Sequence, residues 1–381
     1  MKLSVSLMVA GICVVAGCGG GGGASAPSQP VAVTPAPPVA VVPPVPVLTP
    51  IAVKKTSYEN AKEMEFDPVT LPSEMQYSDA YARADFKQNG TAMLFATKLI
   101  YNVNNPATAT SPSVFAFYSK NASGAWVKEA GMIDTPNGCV HPRKAVVADF
   151  NTDGKPDILV ACHGYDVAPF AGEANYLILS TGSGTYVSKP TGPAGFYHNA
   201  TAADFNGDGK IDYVATDTQN TSKVRMFLGD GAGQFTEDTL KMPAALRGSE
   251  LFTIEATDVN GDGKIDLLVG ADELLFNSKS SVVYGDGTGN FTASRVVTLP
   301  VDLSNATVLD FLVKNGSLFV LRTSSNTNDF YNTKSIQKVD LNTMASTNVF
   351  QVNGQGWTKW LLPTAKGVTS DNAQNVAYAS Y

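Results

Sequence analysis

Long apolar runs are scarce in this 381-residue chain, and histidine, tryptophan and cysteine number only three, three and four. No stretch sustains a helical period, which excludes a helical bundle. The apolar run in MKLSVSLMVAGICVVAGC is too short to span a bilayer as a helix of the mature protein. Acidic residues do not gather in runs, so disorder is not implied. Basic residues are outnumbered, 27 Lys and Arg against 34 Asp and Glu, which argues against a nucleic-acid partner and suits cations. No nucleophile with an adjacent base can be recognised either.

One lysine, an apolar stretch and small residues ahead of Cys18 form an export signal over residues 1–17. Val15-Ala16-Gly17-Cys18 resembles a bacterial lipobox, which implies that Cys18 is the lipidated first residue of the mature chain and that Cys13 leaves with the signal. An ordinary secretory signal cut nearby is the alternative. Several acyl chains on one residue anchor firmly without spanning, since each buried methylene adds about 0.8 kcal/mol. Residues 18–50, a Gly run followed by PVAVTPAPPVAVVPPVPVLTP, form an extended linker, because dense proline blocks both helix and sheet ladder. The remaining segment, 51–381, exceeds the usual single-core domain, and repetition would explain its length.

The chain does repeat. DFNTDGKPDILVA starts at Asp149, DFNGDGKIDYVAT at Asp204 and DVNGDGKIDLLVG at Asp258, 55 and 54 residues apart. Weaker copies start at Asp85 and Asp310, with a faint one at Gly367. Between them recurs a strand-like run, a glycine turn and an aromatic residue, as in KVRMFLGDGAGQFTED and SVVYGDGTGNFTASR. The glycine turns GDGAGQF and GDGTGNF precede strands rather than helices, so they are hairpin turns and not phosphate loops. Each unit reads strand, acidic turn, strand, loop, strand, glycine turn, strand. Such a four-stranded unit must stack on its neighbours, which predicts an all-β fold, a β-propeller of four-stranded blades. Six blades are expected, with seven as the alternative and an open β-solenoid as a distant third. The last copy has room for only a two-stranded hairpin, so the N-terminal segment IAVKKTSYENAKEMEFDPVTLP is expected to supply that blade's outer strands.

These motifs resemble the FG-GAP or VCBS repeat family, which includes the propeller head of integrin α-subunits and many exported bacterial proteins. The likeness is strong over about 140–295, weak over 80–130 and 300–381, and absent before 50. It implies a propeller with calcium-binding hairpins over 51–381, and it is unspecific for function.

In the Asp204 turn, positions 1, 3, 5 and 9 are Asp204, Asn206, Asp208 and Asp212, with the carbonyl of Lys210 at position 7. Hard oxygen ligands in this number suit Ca²⁺. A helical EF-hand would need Glu at position 12, whereas the three copies hold Val160, Ala215 and Val269 there. With the acidic ligand moved to position 9, the chain leaves the turn as a strand. The equivalent sets are Asp149, Asn151, Asp153, Lys155 and Asp157, and Asp258, Asn260, Asp262, Lys264 and Asp266. The competing reading is a metal-free Asx turn. The Asp85 and Asp310 copies lose the pattern, so about three calcium ions are expected.

Cys139 and Cys162 are the only thiols of the folded segment. Export permits a disulfide. Regular strand geometry sets them too far apart, whereas TPNGCVHP has the prolines and glycine to fold back, so the pairing stays open. Hairpin geometry places His141, His163 and His198, with Arg143, Asp166, Glu173 and Asn199, on the face opposite the acidic turns. The favoured reading is loop-fixing hydrogen bonds; a ligand face is the sharper one, and three imidazoles could bind zinc, although their spacing does not demand it. Trp357 and Trp360 read as packing between blades rather than as a sugar platform. Together these features predict a non-enzymatic, calcium-stabilised module, lipid-anchored in a bacterial cell envelope at the outer membrane, periplasmic or surface-exposed. It would bind a protein or glycan. The alternatives are an exported hydrolase or lyase acting on polysaccharide or phosphoester bonds, and a purely structural envelope protein.

Overall fold

The protein is represented by a computed structural model that describes residues 48–62, 80–326, 329–353, 360–364, 367–370 and 378–380. The export signal, Cys18, the linker up to residue 47 and Trp357 lie outside the described residues.

The first blade comprises β1 (Ala80–Ala84), β2 (Met93–Thr97), β3 (Ala116–Lys120) and β4 (Trp126–Lys128). The second comprises β5 (Pro142–Ala148), β6 (Asp157–Cys162), β7 (Glu173–Ser180) and β8 (Tyr186–Gly195), and the third β9 (Tyr197–Ala203), β10 (Asp212–Asp217), β11 (Val224–Gly229) and β12 (Phe235–Glu237). The fourth is β13 (Leu251–Thr257), β14 (Asp266–Ala271), β15 (Ser281–Val283) and β16 (Val296–Thr298); the fifth is β17 (Thr307–Lys314), β18 (Ser317–Asn326), β19 (Asp329–Asp340) and β20 (Ser346–Asn353). Every blade is an antiparallel meander in chain order. The C-terminal residues add a three-stranded sheet of β21 (Leu361–Pro363), β22 (Gly367–Ser370) and β23 (Tyr378–Ser380).

The blade count corrects the expectation. There are five four-stranded blades among the described residues, not six or seven. The reason is twofold. Among the described residues the C-terminal copy contributes three strands, and residues 51–62 of the N-terminal segment lend it no outer strand, while residues 63–72 lie outside the described residues. Residues 57–62 instead form a short helix, α1 (Ser57–Lys62), which packs on the inner strands β1, β5, β9 and β13. A capping box starts it: Glu59 N–H donates to Thr56 Oγ1 at 3.0 Å, and Thr56 N–H donates to Glu59 Oε2 at 3.2 Å.

The core is divided into layers between sheets. Phe95, Phe117, Val147 and Ile178 fill the space between the first two blades, and Leu159, Tyr197, Ala202 and Phe227 the space between the second and third. Equivalent layers join the third to the fourth, the fourth to the fifth, and the fifth to the C-terminal sheet. Trp360 and Leu362 then pack on Leu94, Ala96 and Tyr118 of the first blade. Trp360 is therefore buried in the contact that joins the C-terminal sheet to the first blade. At about 25 cal/mol per Å² of apolar surface removed from water, these layers are the main favourable term in folding.

Polar side chains fill the middle, where the inner strands converge. Lys62 of α1 donates to Asp310 Oδ2 and to the Leu361 carbonyl, Ser57 Oγ accepts from Ala202 N–H, and Asn60 donates to the Val147 carbonyl. Lys144 donates to Glu255 at 2.6 Å and to Asn199 at 3.0 Å, and Asn199 donates to Thr253 at 3.1 Å. Asp310 thus lies within β17 and inside the ring. The hairpin of that blade turns later, at Asn315 and Gly316, both with positive φ.

Candidate functional site

In the pairing of β5 with β6, Ala148 faces Asp157 and Pro142 faces Cys162; in the third blade Ala203 faces Asp212 and Tyr197 faces Asp217. The acidic turns therefore share one end of the blades, and the histidines gather at the other, roughly 20 Å away at about 3.3 Å per residue.

The three acidic turns are nearly superimposable in their bonding. Asp204 accepts N–H groups from Gly207 and Asp208 on Oδ1 and from Gly209 on Oδ2; Asn206 accepts from Asp208, and Asp208 from Lys210. The Asp258 turn repeats this set bond for bond. The Asp149 turn keeps most of it, but Thr152 stands where the others have Gly207 and Gly261 and is held at φ 58°. A β-branched residue rarely adopts that conformation. At position 9, Asp157, Asp212 and Asp266 are fully buried and tie the turn to the third strand or to the second residue beyond it, accepting N–H from Ser180, Gly229 and Gly285 respectively.

Burial first, and then the like charge of neighbouring carboxylates, pushes Asp157 up to about 7 and Asp212 and Asp266 up to about 6. A set of three carboxylates, an amide oxygen and a backbone carbonyl, with the negative groups mutually repelled, has the chemistry of a hard-cation site. The turns satisfy themselves with backbone N–H groups here. The groups of three His, Cys, Asp or Glu side chains whose ligand atoms lie within 4.8 Å of one another are elsewhere among the described residues: Cys139, Cys162 and Glu173, and His141, His163 and Asp166. The degenerate Asp85 turn accepts from Asn89 and Gly90 and also from Ile51, which ties the incoming N-terminal segment to it.

At the opposite end, the register slips by one residue at the same place in four successive inner strands, leaving Arg143, His198, Phe252 and Leu309 as β-bulges. Such bulges re-aim side chains. A continuous track results. Arg143 Nη1 lies 3.5 Å from His141 Nε2, the His141 and His163 rings are 5.0 Å apart, His163 Nε2 lies 2.7 Å from His198 Nε2, and the His198 and Phe252 rings are 4.9 Å apart and tilted. The residue after each of the first three bulges, Lys144, Asn199 and Thr253, belongs to the polar network of the ring centre instead. Asn199, expected on the face, is in that network.

His141 and His163 are buried, His198 and Arg143 half-buried, and Asp166 exposed. Burial, and then the nearby His198, Arg143 and His141, push the His163 imidazole far below its ordinary value; burial and Arg143 do the same for His198. Both rings are neutral at physiological pH.

Glu173 does not face solvent as a ligand group. Its Oε1 accepts N–H from His141 and Gly164, and its Oε2 accepts from Val140, so one carboxylate holds both histidine loops. Cys139 and Cys162 are disulfide-bonded with Cα atoms 6.0 Å apart. The fold-back that permits this runs through Gly138, whose N–H donates to the Ser113 carbonyl and where a Cβ would meet the Phe115 ring at 2.2 Å. Replacing both cysteines by serine is expected to cost about 3 kcal/mol of stability through lost loop-closure restraint over the 23-residue span. Urea unfolding reads this, and an unchanged midpoint would refute it.

Sequence reasoning missed Tyr101, whose hydroxyl lies 3.1 Å from His141 Nδ1 and which comes from the long second loop of the first blade. No local motif marks it. It also missed the bulges, although Arg143, His198, Phe252 and Leu309 recur at close to the repeat period.

The model of the FG-GAP-like repeat matches residues 149–215 and 204–269, the two spans bounded by the acidic turns. No curated protein sequence matches the chain. Among solved structures, a Bacteroides uniformis protein provisionally assigned as a 6-phosphogluconolactonase is similar at 13% identity and TM-score 0.50, covering 80% of both chains. A Bacteroides fragilis protein with the same provisional assignment is similar at 13% identity and TM-score 0.49, covering 79% of this chain and 78% of its own. At that identity the likeness concerns the fold alone. Residues 149–269 of this β-propeller therefore carry FG-GAP-like repeats.

Proposed function

We propose that the chain is a non-enzymatic binding module of the bacterial cell envelope, held by a lipid on Cys18 and stiffened by about three calcium ions at the Asp149, Asp204 and Asp258 turns. Its ligand, a protein or a glycan, docks on the face opposite those turns. One observation carries this reading: the loops at that end of the strands hold exposed large apolar side chains, among them Ile100, Phe170, Leu274, Phe276 and Leu303, whereas the Asp149, Asp204 and Asp258 turns hold none. Apolar groups left in water beside Arg143 and Asp166 are the composition of a recognition surface. Residues 18–50 serve as the arm, which raises the local concentration of the head at its target.

The test is a screen of glycans and envelope extracts against the calcium-loaded chain, with Phe276→Ala and Phe170→Ala beside it. Both side chains are about half exposed, at 50% and 45%, so the fold tolerates their loss. Saturable binding without turnover, weakened about tenfold by either change as befits an anchor residue worth more than 1 kcal/mol, supports the reading. Turnover of a bound polysaccharide or phosphoester would overturn it.

A further inference from the structure

The histidine cluster has a second feature that a recognition surface does not require. All three histidines of the chain meet at one place, although they come from the start of β5, the loop after β6 and the bulge of β9. One ring nitrogen each of His141 and His163 and a carboxylate oxygen of Asp166 lie within 4.8 Å of one another. His163 is 2% exposed, and its Nδ1 has no hydrogen-bond partner while Nε2 is engaged with His198. A buried imidazole nitrogen without a partner is costly unless something else takes its lone pair or proton.

The supports of this cluster are those of a built site. Tyr101 holds Nδ1 of His141, the kind of outer contact that fixes the ring of a metal-ligating histidine. Glu173 joins the backbone of His141 to that of Gly164, the residue after His163. The Cys139–Cys162 bridge closes the same two loops, with Cys162 directly before His163. Asp166 is exposed, which leaves the cluster open to solvent on one side.

We infer that His141, His163 and Asp166 form a binding site for one divalent transition-metal ion of the zinc class, with an open position toward solvent. Two imidazole nitrogens and one carboxylate oxygen are ligands of that class, whereas calcium takes oxygen alone. Three protein ligands leave room for water or for a ligand oxygen, and Arg143 beside His141 suits an anionic one. The inference does not rest on the binding reading above, nor on calcium at the acidic turns.

The experiment uses the full chain, stripped with chelator and reloaded with calcium, then titrated with Zn²⁺ against a chromophoric zinc chelator; Co²⁺ is the spectroscopic probe. Expected are one tightly held zinc per chain and a Co²⁺ visible spectrum of low coordination number. Asp166→Asn, at an exposed position where the fold is not at risk, should weaken zinc at least about tenfold, and His141→Gln should do so as well, with calcium content unchanged in both. Failure to retain zinc, or zinc retained equally by the parent chain and Asp166→Asn, overturns the site. If His141→Gln does not fold, the Asp166→Asn comparison decides alone.

Discussion

Chelation of calcium should lower the melting temperature of the purified chain by on the order of 10 °C. A ligand that binds only the folded state stabilises it by about 2.7 kcal/mol at a hundredfold excess over its Kd, so three independent sites give roughly 8 kcal/mol. The structural reason lies in Asp157, Asp212 and Asp266, which are fully buried and raised in proton affinity by burial and by the carboxylates beside them. A cation at each turn would relieve that repulsion and hold the hairpin between the first two strands of the blade. Differential scanning calorimetry in chelator and in millimolar calcium measures the effect, and coincident transitions would argue that the backbone N–H groups suffice for these turns.

The second large effect is expected at Arg322. Its side chain is completely buried in β18, with Nη1 2.9 Å from Glu273 Oε2, Nε 2.8 Å from Gln337 Oε1 and Nη2 2.9 Å from the Pro300 carbonyl. Glu273 follows β14, so the pair clamps the fourth blade to the fifth. Arg322→Met leaves the Glu273 carboxylate buried without its counter-charge and should cost about 3–5 kcal/mol. Adding Glu273→Leu should recover much of that loss, since a buried pair replaced as a whole by apolar groups is close to neutral. Urea unfolding of the two variants decides: a single variant within about 1 kcal/mol of the parent would show that the pair is not the clamp it resembles.

Much of the fold was legible because a propeller writes its period into the chain. The turns at Asp149, Asp204 and Asp258 mark the first hairpin of three blades, and that hairpin fixes which end of the sheet His141, His163 and His198 occupy. What failed to show was whatever depends on the ring as a whole. Residues 51–62, expected to help build outer strands, are too short to show a helical period, although the capping box Thr56-Ser57-Tyr58-Glu59 was there to be seen. Asp310 looked like a worn calcium turn and is a buried carboxylate at the ring centre holding Lys62, a contact between residues 248 apart that no local pattern predicts. Within the histidine face, Arg143 and His198 owe their positions to bulges. Glu173, read as a ligand group, is consumed by three backbone N–H groups that only the folded loops bring to it.

Metal content tests the account most directly. After chelator washing, equilibrium dialysis of the chain against calcium, with bound metal counted by mass spectrometry, should give about three calcium ions per chain, and about two after Asp208→Ala. A chain that takes up no calcium, or whose uptake is the same after Asp153→Ala, Asp208→Ala and Asp262→Ala, would contradict it.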